Sequence, residues 1–123
     1  LRDEYKEIGE LLNYLRRRAG EVVIVRGNHD AILDGIVRDL DRVELVDYFI
    51  SDGYCFVHGD RAFEVMSGKE IKVWIMGHGH PAVKISDGVK VEKFKCFLVG
   101  KFKGKKIFIV QCCWPENKRS CIF

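Results

Sequence analysis

Apolar residues recur at three- and four-residue steps from the first position onward: Leu1, Tyr5, Ile8, Leu12 and Leu15, with Leu11 widening the stripe. That spacing predicts an amphipathic helix over Leu1 to Arg18, closed by Gly20, the residue type best suited to a left-handed cap. Val22-Val23-Ile24-Val25 then replaces the periodicity with an unbroken β-branched run, the pattern of a short strand buried on both faces. Ala31 to Leu40 returns to helical spacing through Ile32, Ile36, Val37 and Leu40, weakened by Gly35, and Val43 to Val46 reads as a second strand. Further apolar strands are expected over Tyr54 to Val57 and Ile71 to Met76, with a short helix at Ala62 to Ser67 between them. After Pro81 the texture changes. Ala82 to Ser86, a turn at Asp87-Gly88, Val89 to Glu92, Cys96 to Phe102, a turn near Lys103-Gly104 and Lys105 to Val110 read as antiparallel hairpins. The first two-thirds is α/β in rhythm and the last third a β meander, with no internal repeat, linker or domain boundary.

Length and composition narrow the class. At 123 residues the chain fits one domain, and 47% hydrophobic with 32% charged residues excludes collagen-like, low-complexity and extensively disordered proteins. No apolar run reaches the ~18 to 20 residues of a membrane span, and no basic start leads into an apolar stretch, so a cytoplasmic location without a membrane partner is expected. A net charge of +3 implies no nucleic-acid partner without a patch. Arg16-Arg17-Arg18 reads as the polar end of a helix, and the lysines between Lys101 and Lys106 as a solvated hairpin. Cys55, Cys96, Cys112, Cys113 and Cys121 contain no Cys-x-x-Cys spacing, so reduced, mostly buried thiols are expected in place of disulfides or a thiolate zinc site.

The histidines carry the chemical signal. All four sit just past the ends of expected strands, each beside Gly, Asn or Asp: Gly27-Asn28-His29-Asp30, His58-Gly59-Asp60 and Gly77-His78-Gly79-His80-Pro81. Loops at strand ends converge on one crevice in α/β sheets, whereas a lone histidine is more often a satisfied core or surface residue. Packing alone does not require every imidazole of a chain to fall at a strand-to-loop junction. Imidazole and carboxamide ligands favour a borderline first-row divalent metal: Mn, Fe, Zn, Co or Ni. Asp30 beside His29 follows a different logic, since a neighbouring carboxylate orients an imidazole and raises its basicity, which suits a general acid.

These three blocks, in this order, resemble the third, fourth and fifth signature blocks of the calcineurin-like metallophosphoesterases. The spacing and the basic hairpins around Lys95-Cys96-Phe97 are most similar to the archaeal phosphoesterases related to the nuclease subunit SbcD and to their bacterial ligase-associated relatives. The resemblance covers roughly Glu21 to Val110. It implies an α/β (α+β) fold, the C-terminal part of a four-layer αββα sandwich ending in antiparallel β hairpins. It also implies hydrolysis of phosphomonoesters or phosphodiesters, nucleotide and DNA among them, at two divalent metal ions, with Mn²⁺ foremost. By the resemblance Asn28, His58 and His78 bind the second metal and His80 the first. His29 protonates the leaving oxygen, Asp30 orients His29, and a hydroxide between ions about 3.5 to 4 Å apart attacks phosphorus.

The departures matter as much. The family's first two blocks, an Asp-x-His and a Gly-Asp carrying the remaining ligands, have no counterpart within residues 1–123, so the single domain is expected to be partial, lacking its first two strands. The segment from Cys112 to Phe123, with Cys112-Cys113-Trp114-Pro115, does not continue the family pattern. Two other readings compete: a catalytically incomplete protein-interaction scaffold of the same fold, and a nucleic-acid-binding module using the basic hairpin. A scaffold gains nothing from a proton donor at His29, which separates it from the enzyme.

Overall fold

The first helix runs from Arg2 to Ala19 (α1) in the computed structural model, which describes residues 2–28 and 32–110. Asp3 and Glu4 occupy its first turn and Arg16, Arg17 and Arg18 its last, the order that the helix dipole favours. The arginine cluster is spent locally: Arg18 lies over the Tyr14 ring, 3.8 Å from its centroid, and Arg16 reaches the Asp41 carbonyl at 3.4 Å. Gly20 closes the helix with its amide on the Arg16 carbonyl (3.2 Å). Within the apolar stripe Leu12 is buried, while Tyr5, Leu11 and Leu15 remain exposed.

β1 (Val22–Val25) pairs in parallel with β2 (Val43–Val46), and α2 (Leu33–Val37) connects them, burying Leu33 and Val37. Two expectations are corrected here. β1 is not buried on both faces: all of its residues are partly buried, because among the described residues β2 is the one strand beside it. The helix expected over Ala31 to Leu40 shrinks to Leu33–Val37. Gly35 weakens it from within, and the Leu40 amide turns back to the Val37 carbonyl (3.0 Å), tightening the end into a 3-10 turn. Ala31 lies outside the described residues.

A second sheet holds the core. β3 (Tyr48–Ser51) and β4 (Tyr54–Val57) form a hairpin that the apolar pattern alone missed; its signal was Asp52-Gly53, whose φ values of 49° and 83° give the doubly positive pair of a tight hairpin turn. β5 (Val73–Met76) runs parallel to β4 after a 3-10 turn at Glu64–Ser67, where a short helix was expected. β6 (Ala82–Ser86) and β7 (Val91–Lys95) make a separate two-stranded ribbon. β8 (Leu98–Phe102) and β9 (Lys105–Ile109) then return to the second sheet, completing the order β3-β4-β5-β9-β8. The last third is therefore not a simple meander. β9 pairs in parallel with β5, because Ile107 and Ile109 come from an apolar run that the sheet centre can bury better than a free hairpin can. The architecture is mixed α/β, mostly sheet, with few helices and β hairpins. No helix among the described residues is long and apolar enough to cross a membrane.

Cys55, Val57, Met66, Ile71 and Trp74 form the core cluster, with Ile50, Phe63, Met76 and Ile107 packed against it. Trp74 joins its two parts: its Nε1–H donates to the Met66 carbonyl (2.9 Å), and its ring meets Phe102 at a centroid distance of 5.9 Å. Lys105 is taken up by the fold, its ammonium donating to the Gly68 and Ile71 carbonyls (2.7 and 2.5 Å). Cys55 and Cys96 are free thiols, and burial pushes the Cys55 thiol up, so it stays protonated and unreactive. Cys112, Cys113 and Cys121, with the rest of 112–123, lie outside the described residues.

Trp74→Phe keeps the aromatic volume but strands the buried Met66 carbonyl. It should destabilise the protein by about 1 to 3 kcal/mol, read as a lower urea midpoint at unchanged slope. An unchanged midpoint would remove this hydrogen bond from the core's support.

Candidate metal centre

β4 and β5 are parallel neighbours, Tyr54 opposite Val73 and Phe56 opposite Ile75, so their C-terminal ends lie side by side. His58 follows the first strand and Gly77-His78 the second. The Gly77 and His78 amides both donate to the His58 carbonyl (3.0 and 2.8 Å), locking the two loops together. β1 delivers Asn28 from the other sheet. Asn28 Oδ1 lies 2.8 Å from His58 Nε2, which lies 3.1 Å from His78 Nδ1, and the His58 and His78 rings meet edge to face at 4.9 Å. His80 is one step further out, its ring centroid 6.4 Å from that of His78, on a backbone held at φ 42°. A non-glycine residue in that region stores strain, a feature that gathers at functional loops. His29 and Asp30 lie outside the described residues.

Gly59 is required beside this cluster. It adopts φ 106°, and a Cβ there would stand 3.3 Å from the Met76 Cβ and 3.5 Å from the His78 Cβ. The glycine thus lets the two histidine loops close to contact distance.

The donor atoms are of a kind that a divalent cation accepts as ligands. An imidazole nitrogen offers a single in-plane direction, as donor or as acceptor, so His58 Nε2 cannot make good hydrogen bonds to both Asn28 Oδ1 and His78 Nδ1. Electron-pair donors about 3 Å apart are the natural edges of a coordination shell whose metal–nitrogen bonds are about 2.0 to 2.1 Å. The set is built from two imidazoles and a carboxamide. Among the described residues no three His, Cys, Asp or Glu side chains stand together as a metal-holding group. These ligands are neutral, so full compensation of a divalent charge needs carboxylates besides them.

An ion-pair network that sequence reasoning missed braces the loops from behind. Arg26, just before Gly27-Asn28, grips Asp34 with both terminal nitrogens (2.7 and 3.0 Å) and reaches Asp47 through Nε (3.4 Å). Arg61, just after the His58 loop, meets the same Asp47 carboxylate at 3.2 Å. Asp47 therefore ties the Asn28 loop of one sheet to the His58 loop of the other. The sequence signal was the placement of each arginine next to a functional block, but the partner carboxylates are fixed only by the pairing of β1 with β2. The lysine cluster of Lys101 to Lys106 sits elsewhere: Lys106 pairs with Val73 at the start of β5, the end of the sheet opposite the histidines.

Comparison with protein-family profiles, with curated proteins and with solved structures gave no match.

Gly59→Ala should cost about 1 to 3 kcal/mol of stability through its positive φ and push the His58 and His78 rings apart, seen as shifts of both imidazole signals by NMR. Signals that stay in place would show that the loop tolerates a Cβ. The Arg26 hydrogen bonds hold the Asp34 carboxyl below the usual carboxylate range, so the folded state binds that proton more weakly than the unfolded chain. The pair's contribution is complete at neutral pH and disappears as pH falls through the carboxylate range. Asp34→Asn should accordingly flatten the acid limb of Tm against pH while leaving its alkaline limb alone.

Proposed function

We propose that the chain belongs to a dinuclear metal-dependent phosphoesterase, acting on phosphomonoesters or phosphodiesters. The observation that carries this reading is the closure of Asn28 Oδ1 and His78 Nδ1 on His58 Nε2 at the ends of three strands from two sheets. Asn28, His58 and His78 would hold one cation and His80 would face a second. Two divalent ions, Mn²⁺ foremost, would neutralise phosphate charge and activate water at neutral pH. The chain's own tasks are then to orient and to donate. The Gly77 and His78 amides fix the His58 backbone, Asp47 holds the two loops in register, His29 protonates the leaving oxygen, and Asp30 aligns the His29 ring. Two sheets besides the ribbon, with α1 against β1 and α2 against β2, support the resemblance to a four-layer αββα sandwich of which these residues would form the C-terminal part. The carboxylate ligands of that family's Asp-x-His and Gly-Asp blocks are not among residues 1–123.

Loaded with Mn²⁺, the protein should hydrolyse bis-p-nitrophenyl phosphate. His29→Ala should lower kcat by about 10² or more with metal content nearly unchanged, the behaviour of a lost general acid. His78→Ala should instead lose metal, measured by elemental analysis. Full turnover in the His29 variant would remove that residue from the mechanism, and a metal-free protein without turnover would favour an interaction scaffold of the same fold.

A further inference from the structure

The two edges of the five-stranded sheet are not alike. At one edge β3 is flanked by Asp47 and Asp52, so a second copy laid antiparallel against it would bring carboxylates together at both ends. At the other edge β8 reads Leu98-Val99-Gly100-Lys101-Phe102, with every residue exposed and, among the described residues, no strand beyond it. Of the devices that blunt a free edge it has only Lys101; there is no proline and no bulge. Phe102 touches the core on one side, its ring centroid 5.9 Å from that of Trp74, and stays open on the other.

Opposed residues of antiparallel strands share a face, so when a two-fold axis relates two copies of one strand, some residue must lie across from itself. With Gly100 in that position, Phe102 lies across from Leu98 of the second copy, Lys101 lies across from Val99, and each end brings Lys103 beside Phe97. The Phe102–Leu98 pairs extend the Trp74–Phe102 contact across the interface, and aromatic–aliphatic pairs of this kind stabilise a sheet. Lys103 already sits 5.4 Å from the Phe102 ring centroid, and Phe97, 69% exposed, offers it a second ring face. Neighbouring registers lose this match. Lys101 on the axis opposes two ammonium groups, and Val99 on the axis leaves Phe102 against Cys96 and Leu98 against Gly100. The end that receives Lys103 is also the histidine end. Leu98 pairs with Ile109 and Ile109 with Met76, the residue before Gly77-His78. The Cys96 amide donates to the Pro81 carbonyl (3.0 Å), so Phe97 follows directly beside the His80-Pro81 step. Within one chain the turn at Lys103 lies at the far end of the sheet from the histidines, and the reversal of strand direction across the axis is what carries it there.

We propose that β8 pairs antiparallel with β8 of a second copy about a two-fold axis at Gly100, joining the two sheets into one, and that Lys103 of each copy thereby borders the histidine cluster of the other. The pairing stands on its own; that Lys103 meets a phosphate ester there rests on the phosphoesterase reading. A ladder of five residues is a small interface, below the roughly 1,200 Å² of standard-size complexes, so the dimer is weak and depends on concentration.

The test is sedimentation velocity of the full chain in reducing, low-salt buffer with EDTA, across about two decades of concentration, over which the wild type should pass from monomer to dimer. Val99→Lys sets an ammonium group opposite Lys101 of the second copy at two places and should weaken the dimer at least about tenfold. Val99→Glu sets a carboxylate there and should tighten it about threefold or more. Val99 is exposed, so both variants should keep the wild-type Tm at concentrations where the protein is monomeric, which separates lost pairing from lost folding. Lys103→Gln should weaken the dimer about threefold. Ser51→Lys, on the opposite edge of the sheet, should leave it unchanged. In NMR spectra the His80 and Phe97 signals should move with concentration along the sedimentation curve in the wild type and stay still in Val99→Lys. A monomer at every concentration, losses of the same size in Val99→Lys and Val99→Glu, a dimer sensitive only to Ser51→Lys, or His80 signals indifferent to concentration would each overturn the proposal. Turnover of bis-p-nitrophenyl phosphate by a strict monomer would overturn the pairing and leave the phosphoesterase reading standing. A dimer of the expected behaviour without phosphodiester hydrolysis would do the reverse.

Discussion

The His58 carbonyl accepts two amides at once, those of Gly77 and His78, and the arrangement of the rest of the site follows from that shared acceptor. Parallel pairing of β4 with β5 brings the two strand ends level, but parallel strands alone leave the loops beyond them free to diverge. The bifurcated clamp carries the pairing one residue past the sheet and forces the His58 and His78 side chains to leave the backbone within contact distance. Gly59 supports the clamp, since its φ of 106° suits glycine and a Cβ there would crowd Met76. Asn28 then needs only to be carried across from the other sheet, which the Arg26–Asp47–Arg61 chain does by spanning the two loops.

The core behind this clamp is small and one-sided. Cys55 and Val57 on β4, Trp74 on β5, and Met66 and Ile71 on the connection between them lie buried together under the same two strands that present the histidines. The strands that position the site are thus the ones that the hydrophobic effect holds most firmly. Lys105 reinforces the connection at its other end by capping the Gly68 and Ile71 carbonyls. The apolar residues of β1, by contrast, are only partly buried, and α1 buries Leu12 while Tyr5, Leu11 and Leu15 stay exposed, so Asn28 arrives on the less firmly held part of the molecule and depends more on the arginine network.

Much of this was readable in the residues. α1, β1, β2, β4 and β5 announce themselves by period or by β-branched runs, and the histidine blocks mark the strand ends because each carries a glycine or asparagine where the chain must turn. The grouping of Asn28, His58 and His78 was what the resemblance of those blocks implied. What stayed hidden was non-local. The β3–β4 hairpin was signalled by Asp52-Gly53, but Asp47 alone separates Tyr48–Ser51 from β2, so the two strands read as one run. The insertion of β9 beside β5 has no local signature, because an apolar strand reads the same whether its neighbour is a hairpin partner or a distant parallel strand. The Asp47 bridge depends on two sheets meeting, which no window of sequence reports.

Local rules fail in both hairpins of the last third. His80 takes a left-handed conformation that glycine adopts more readily, and four residues later Lys84 faces Lys93 across the ribbon; in the β8–β9 hairpin Lys103 sits at φ 50° and Lys101 faces Lys106. A sequence under selection for stability alone would relieve both, the first with glycine and the second with a single carboxylate, and each change is one residue away. Neither strain supports the core, since the ribbon is exposed along its whole length and His80 lies outside the buried cluster. Exposed like charges are screened by solvent and salt, so these oppositions cost little and belong to solvated faces.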